Sequence, residues 1–170
     1  AGGYWRGGVW LPTAYMAVKA LEQYQFTALA DRLAEQLVRH QLRTWLEFSP
    51  HTVWEVYSPT RAEPATCKYN CLPDHGKPDF CGWSALAPIA LLIENVIGVH
   101  SVDAFNRSVE WRLPKQCCGK LGVKNLRFGN TVTSLEYDNG VCTVTADSPY
   151  TLWVNCKAYP IHAGEQHFSP

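Results

Sequence analysis

The stretch LPTAYMAVKALEQYQFTALADRLAEQLVRHQLRTWL, residues 11–46, carries the strongest structural signal in the chain. In its second half apolar side chains recur every three or four residues, which places them on one face of a helix. These positions are Leu29, Leu33, Leu37, Val38, Leu42 and Trp45. The pattern predicts one helix over about residues 11–24 and a longer helix over about 27–46.

The residues that follow predict a loop and then a third helix. Between Phe48 and Cys81 the periodicity is lost and five prolines occur, so we expect a long loop without regular structure, a kind of segment that often carries function. From about Ser84 to Ile97 the residues are apolar nearly all round, which predicts a buried helix. Gly98 stands where such a helix ends.

Beyond about residue 100 the sequence changes to short segments rich in Val, Thr, Leu and aromatic residues. Asp138-Asn139-Gly140 is a hairpin turn signal between two of these segments. The predicted strands are 109–113, 123–128, 132–137, 141–146 and 151–157. We expect a small antiparallel sheet of four or five strands, followed by a polar tail that contains the solvated His162 and His167.

The composition points to a neutral ligand. Lysines and arginines (15) equal aspartates and glutamates (15), so no basic field favours nucleic acid or an anionic membrane. The most apolar run, residues 86–99, is interrupted by polar residues and is too short to span a bilayer, so we expect a soluble protein, cytoplasmic or periplasmic according to what precedes residue 1. The seven cysteines are odd in number and not densely spaced, and we expect most of them to be reduced.

The first candidate binding segment is GGYWRGGVWLP, residues 2–12. Its rings offer flat apolar faces to a sugar, an arginine offers donors to hydroxyl or carboxylate groups, and the glycines permit a close approach of the backbone. The residues concerned are Tyr4, Trp5, Arg6 and Trp10. The alternative is that these rings only pack a helix interface.

The second candidate is Glu55, which lies between aromatic residues in HTVWEVYSP, residues 51–59. Such surroundings suit a general acid or base, although an ordinary surface carboxylate is the alternative. Asp79 precedes the third helix, and a helix cap is a simpler interpretation of it than a ligand for a sugar hydroxyl. Trp83, at the start of that helix, can project towards whatever the loop surrounds.

Two other chemistries are weaker. Cys67, Cys71, His75 and Cys81 supply four possible zinc ligands within fifteen residues, but paired spacing of the C-x2-C kind is missing. Nucleophilic catalysis by serine or cysteine has no support, because no G-x-S-x-G or recognised cysteine signature occurs. We therefore predict no metal and no cofactor.

Taken in order, three segments resemble the closing part of the (α/α)6-barrel glycosidases, in particular glycoside hydrolase family 63 and its bacterial relatives. That group includes α-glucosidases and mannosylglycerate hydrolases, with the trehalases as more distant cousins. The segments are GGYWRGGVWLPTAYM at 2–16, WEVYSP at 54–59 and DFCGWSALAPIALLIENVIG at 79–98.

The resemblance implies a mainly α fold with a β appendage. Residues 1–100 would form the C-terminal helices and active-site loops of an (α/α)6 toroid, and residues 101–170 a small antiparallel β domain with a tail. It also implies inverting hydrolysis of a small α-linked glucoside, mannoside or disaccharide by an acid and a base roughly 6.5–9.5 Å apart.

The same resemblance assigns residues to roles. Glu55 is implied as the general base, and the implied sugar contacts are Tyr4, Trp5, Arg6, Trp10, Tyr57 and Trp83. In these families the acid is an Asp well upstream of the Y-W-R-G segment, and no Asp of this sequence matches it. A toroid also needs about twelve helices. We therefore expect a C-terminal fragment that is inactive without the upstream half of the same polypeptide.

Two other functions remain open at this point. The tryptophans can belong to a non-catalytic carbohydrate-binding module, or the chain can be another (α/α)6 sugar enzyme such as an epimerase. The sugar and its linkage are not specified by the sequence, although Arg6 leaves room for a carboxylated aglycone.

Overall fold

The computed structural model describes residues 5–69, 72–114 and 119–170. The chain divides into two compact units, residues 1–92 and 93–170, whereas the predicted domain boundary lies at residue 100. Helix accounts for 32% of the residues and strand for 34%, so the protein is α+β. The expected mainly α fold, with part of an (α/α)6 toroid, is wrong, because two four-stranded sheets make up much of the chain.

The first unit begins with two helices that pack on each other, α1 (Leu11–Gln23) and α2 (Thr27–Glu47). Their bounds agree with the predicted helices to within one or two residues. The buried face of α2 differs from the predicted one: Ala30 and Ala34 are fully buried, whereas three of the predicted positions are well exposed. Those three are Leu29, Leu42 and Trp45. The other three predicted positions, Leu33, Leu37 and Val38, are partly buried and pack against the same core as the alanines.

The predicted loop between the helices contains a short hairpin, β1 (Thr66–Tyr69) paired antiparallel with β2 (Leu72–His75). Ahead of it, Tyr57 forms isolated antiparallel bridges with Val9 and with Pro64. The expectation of a loop without regular structure is therefore wrong for this part. The bridges draw the glycine-rich opening segment and the segment around Glu55 together.

The third helical stretch is a single 3₁₀ turn (Trp83–Leu86) that continues as a π-helix (Ala87–Ile97). Ala87 and Leu91 are buried in the core of the first unit, whereas Ile89 is 58% exposed, so this stretch is not buried all round as predicted. Gly98 follows with a φ of +90°, the left-handed conformation expected of a glycine that ends a helix.

In the part of the second unit that the structure describes, eight strands form two four-stranded sheets around one hydrophobic core. The strands are β3 (Val99–Asp103), β4 (Ser108–Trp111), β5 (Leu121–Phe128), β6 (Thr131–Asp138), β7 (Val141–Ala146), β8 (Tyr150–Val154), β9 (Lys157–Ile161) and β10 (Gly164–Phe168). One sheet has the order β10-β7-β6-β5 and the other β3-β4-β8-β9, in which β4 and β8 run parallel. Inward side chains alternate along β6 and β8, as a half-buried strand requires.

The turn at Asn139-Gly140 is confirmed, since β6 and β7 pair on either side of it and both turn residues have positive φ. The expected single antiparallel sheet of four or five strands is wrong. The structure adds β3, separates the last predicted strand into β8 and β9, and places the predicted polar tail in β10. His167 lies in that strand, where Nδ1 of its ring shares a hydrogen bond of 3.0 Å with the hydroxyl of Thr143 on β7.

Candidate functional site

Glu55 lies in the first unit, in the segment that follows α2, and is only 6% exposed. Its main-chain N–H donates to the oxygen of Lys77 over 2.9 Å, and its Oε2 accepts the main-chain N–H of Lys77 over 3.2 Å. Gly76 makes this approach feasible, because a Cβ at that position would lie 2.6 Å from Cγ1 of Val56. The carboxylate is therefore held against the 76–77 backbone rather than free to rotate.

The main-chain oxygen of Glu55 accepts two more hydrogen bonds, from residues at the start of the third helical stretch. Nε1 of Trp83 donates over 3.1 Å and Oγ of Ser84 over 3.2 Å. A carbonyl oxygen has two lone pairs, so both are used. The structure thus joins two predicted site residues, Glu55 and Trp83, although they are 28 positions apart.

Four rings form an aromatic cluster that contains Trp83, here defined as Trp5, Trp10, Phe80 and Trp83. Trp5 and Trp10 stack with centroids 3.8 Å apart and planes at 10°. The ring of Trp10 lies 5.8 Å from that of Trp83, which in turn lies 4.8 Å from Phe80. Trp5 is 60% exposed and Trp83 36%, whereas Trp10 is buried. The cluster therefore presents flat apolar surface to solvent. It extends to the ring of Trp83, whose Nε1 donates a hydrogen bond to the main-chain oxygen of Glu55.

Tyr57 takes a different position from the one a sugar contact would need. Its side chain is 1% exposed, and its hydroxyl oxygen accepts from Nε2 of Gln41 over 2.7 Å and from the N–H of Trp54 over 3.0 Å. Burial raises the pKa of this phenol. In the main chain it exchanges two hydrogen bonds with Val9. Tyr57 therefore holds the loop together beneath Glu55.

The remaining predicted contacts are Arg6 and Tyr4. Arg6 is exposed and directly follows Trp5, while Gly7 after it has a φ of +98°. Tyr4 lies outside the described residues. The opening segment thus turns sharply after Arg6 before it pairs with the Glu55 segment at Val9.

A depression of about 270 Å³ lies beside the pairing of Val9 with Tyr57. Its lining includes Gly7, Gly8, Ser58, Thr60, Arg61 and Glu63. Because Gly7 and Gly8 have no side chains, hydroxyl and charged groups supply most of the polar surface. Arg61 and Glu63 form an ion pair at 3.7 Å on its wall, so the depression suits a polar, uncharged substituent better than an apolar one.

The zinc alternative gains nothing from the described residues, among which no three His, Cys, Asp or Glu side chains converge on one point. Cys71 lies outside the described residues. The ring of His75 packs edge-on against Phe48 at 5.0 Å, and Cys81 is an exposed free thiol. Asp79 accepts a hydrogen bond from Thr52 and does not cap a helix.

Sequence reasoning missed several residues that contact Glu55 or its neighbours. Gly76 and Lys77 come from the loop, and Gln41 comes from the buried face of α2. A lone glutamine in a helix carries no recognisable motif, and its partners lie 16 and 43 positions away. Only the three-dimensional arrangement makes their role visible.

Comparison with known families, characterised proteins and solved structures finds no match to this chain. The predicted membership of the (α/α)6-barrel glycosidases, with the trehalase-like fragment that it implied, is therefore wrong. No family or homologue supports it, and the described residues form an α+β structure with two sheets rather than part of a helical barrel. No helix among those residues has both the length and the apolar character needed to cross a membrane.

Proposed function

We propose that the first unit contributes to glycoside hydrolysis, with Glu55 as the general base and the aromatic cluster as the sugar platform. The observation that carries the proposal is the hydrogen bond from Trp83 to Glu55, which links an exposed ring to a nearly buried carboxylate-bearing residue. The roles of the rings and of Glu55 are argued from the contacts of this site, whereas the α linkage and the inverting course are carried over from the sequence expectations.

The aromatic cluster supplies recognition. The C–H groups on one face of a pyranose are apolar and pack well on a flat ring, and Trp5 offers such a ring at 60% exposure. Its stacking on Trp10 with planes at 10° keeps the ring from turning away when a ligand leaves. A neutral sugar also agrees with the equal numbers of acidic and basic residues in the chain.

Glu55 supplies the base. In an inverting reaction an acid protonates the glycosidic oxygen and its bond to the anomeric carbon breaks, while the base takes a proton from the water that attacks the opposite face. A base must stay in one position to orient that water, and the hydrogen bonds of Glu55 to Lys77 provide this restraint. The proposal names the base and assigns no residue to the acid.

The substrate class is a small α-linked glucoside, mannoside or disaccharide. The depression beside Val9 and Tyr57 is lined by hydroxyl groups and an ion pair, which suits a polyhydroxy or polar leaving group. The exposed guanidinium of Arg6 is available to such a group as a donor.

The test is turnover by the full-length polypeptide that contains residues 1–170, with 4-nitrophenyl α-glucoside, 4-nitrophenyl α-mannoside and maltose as probes. Glu55→Gln keeps the shape but removes the proton acceptor, so kcat should fall by about a hundredfold or more. Glu35→Gln changes an exposed carboxylate on α2, in the same unit but outside the proposed site, and should retain activity. Unchanged turnover in Glu55→Gln would exclude Glu55 as the base.

A non-catalytic carbohydrate-binding surface is the second candidate, and the exposed stack of Trp5 on Trp10 favours it. Such a surface needs the rings but not the carboxylate. Sugar binding without turnover by the full-length polypeptide, undiminished in Glu55→Gln and lost in Trp5→Ala, would establish this alternative.

A further inference from the structure

Gln41 is one of two polar residues, with Thr44, on the buried face of α2 that also carries Ala30 and Ala34. It is 6% exposed, and its Nε2 donates over 2.7 Å to the hydroxyl of Tyr57 and over 2.9 Å to the main-chain oxygen of Ser84. One amide group of a helix thus contacts both segments that hold Glu55. Tyr57 lies 16 positions from Gln41 in the sequence and Ser84 lies 43 positions from it.

Each of the two contacts leads to Glu55 in one further step. The hydroxyl of Tyr57 accepts the N–H of Trp54, which closes a short turn with Glu55 inside it. On the other side, Oγ of Ser84 donates to the main-chain oxygen of Glu55 over 3.2 Å. Gln41 therefore links the turn at residues 54–57, which contains Glu55, to Ser84, whose hydroxyl donates to the main-chain oxygen of Glu55.

The contacts of Gln41 leave polar atoms without partners. Oε1 of Gln41 and Nε1 of Trp54 are buried, and neither has a hydrogen-bond partner among the described residues. An unpaired buried polar atom costs free energy, and at Gln41 this cost stands against the two buried hydrogen bonds that its Nε2 donates. The geometry that Gln41 imposes on its two partners offers a reason for its presence.

We infer that Gln41 is a positioning residue that acts through Glu55 and sets the place of its carboxylate in the site. The inference rests on the proposed function. It makes a specific claim: loss of the amide lowers the rate of the chemical step and leaves substrate binding nearly unchanged, because the aromatic cluster does not depend on Gln41 for its exposed rings.

The experiment uses Gln41→Met in the full-length polypeptide, since methionine matches the length of glutamine and removes both donated hydrogen bonds. A carboxylate displaced by a fraction of an ångström should lower kcat by roughly 10- to 100-fold, with KM within about twofold of the parent. Gln36→Met is the matched control, because Gln36 lies on the exposed side of the same helix. A parental kcat for Gln41→Met would overturn the inference.

The double variant Gln41→Met with Glu55→Gln distinguishes a positioning role of Gln41 from a general structural role. When Glu55 is already Gln, Gln41→Met should cause no further loss of residual turnover on α-glucosyl fluoride, because the group through which it acts is gone. A further loss as large as that in the parent would overturn the inference while leaving the proposed function intact. Full turnover in Glu55→Gln would overturn both.

Ser84→Ala provides the same test if Gln41→Met does not fold. It removes only the hydroxyl that donates to Glu55 and keeps the main-chain oxygen that accepts from Gln41. It should lower kcat with little change in KM in the parent, and should have no further effect in Glu55→Gln. A rise in KM without a fall in kcat would contradict the inferred path from α2 to the carboxylate.

Discussion

Trp83 donates a hydrogen bond from its indole Nε1 to the main-chain oxygen of Glu55 over 3.1 Å. The bond fixes the backbone at Glu55, while Lys77 restrains the carboxylate from the other side through its main-chain N–H. The ring of Trp83 and the carboxylate therefore keep a constant relation to each other. A sugar placed by the ring is consequently placed relative to the carboxylate as well.

Tyr57→Phe should destabilise the first unit by about 1–3 kcal/mol, because the N–H of Trp54 loses its buried acceptor. Tyr24→Phe is the control, since Tyr24 is 76% exposed and its hydroxyl faces water; its effect should be within about 0.5 kcal/mol. Urea unfolding followed by tryptophan fluorescence measures both. Equal stabilities for the two variants would show that the Tyr57 hydroxyl does not support the loop.

Trp5→Ala should weaken sugar binding roughly fivefold, which corresponds to about 1 kcal/mol of lost ring contact. The measurement is calorimetric titration of maltose into the full-length polypeptide carrying Glu55→Gln, so that hydrolysis does not interfere. Trp153→Ala is the control, because Trp153 is 43% exposed but belongs to the second unit. Loss of affinity in the Trp153 variant alone would move the sugar site to that unit.

Gly98→Ala should destabilise the second unit more than Gly140→Ala does. Both glycines have nearly the same positive φ, +90° and +88°, so alanine costs about 1–2 kcal/mol at either position. At Gly98 the new Cβ would also overlap the main-chain oxygen of Arg112, whereas at Gly140 nothing lies within 4 Å. The difference in unfolding free energy should be at least about 2 kcal/mol by urea titration. Equal losses would contradict the close packing of Gly98 on the main chain of Arg112.

Cys142 should resist alkylation in the folded protein. It is fully buried, and burial raises the pKa of its thiol to about 11, so that at pH 8 only about one molecule in a thousand carries the reactive thiolate. Cys81 and Cys156 are exposed free thiols and should react with iodoacetamide much faster. Mass spectrometry of the alkylated peptides gives the order. Labelling of Cys142 at the rate of Cys156 in the absence of denaturant would show that β7 is open to solvent.

The sequence predicted the local elements better than their assembly. The three- and four-residue spacing predicted the bounds of α2 well. It also predicted Leu29 and Leu42 as core residues, whereas in the structure these two are exposed and Ala30 and Ala34 are buried. Spacing records which face is apolar and not which side chains allow the closest approach. Strand β10 escaped prediction because Gly164–Phe168 is mostly polar and is held by pairing with β7, a contact between distant parts of the chain.

The candidate site was predicted in part. Ring-bearing residues and one carboxylate stood out in the sequence, and the structure brings Trp5, Trp10 and Trp83 into one cluster next to Glu55. Tyr57 was expected to contact sugar, yet lies buried, because Gln41 of α2 and the main chain at Trp54 hold its hydroxyl inside the unit. The supporting contacts of Gln41 depend on tertiary packing and have no local pattern that a sequence could reveal.

The role of Glu55 is tested most directly by azide rescue of Glu55→Ala in the full-length polypeptide, with α-glucosyl fluoride as substrate. Azide is a good nucleophile that needs no base, so it should attack the anomeric carbon as fluoride leaves and restore turnover of the variant. The account predicts a β-glucosyl azide, inverted at the anomeric carbon and identified by proton NMR. Parental hydrolysis by Glu55→Ala without azide, or an azide product of retained configuration, would contradict it.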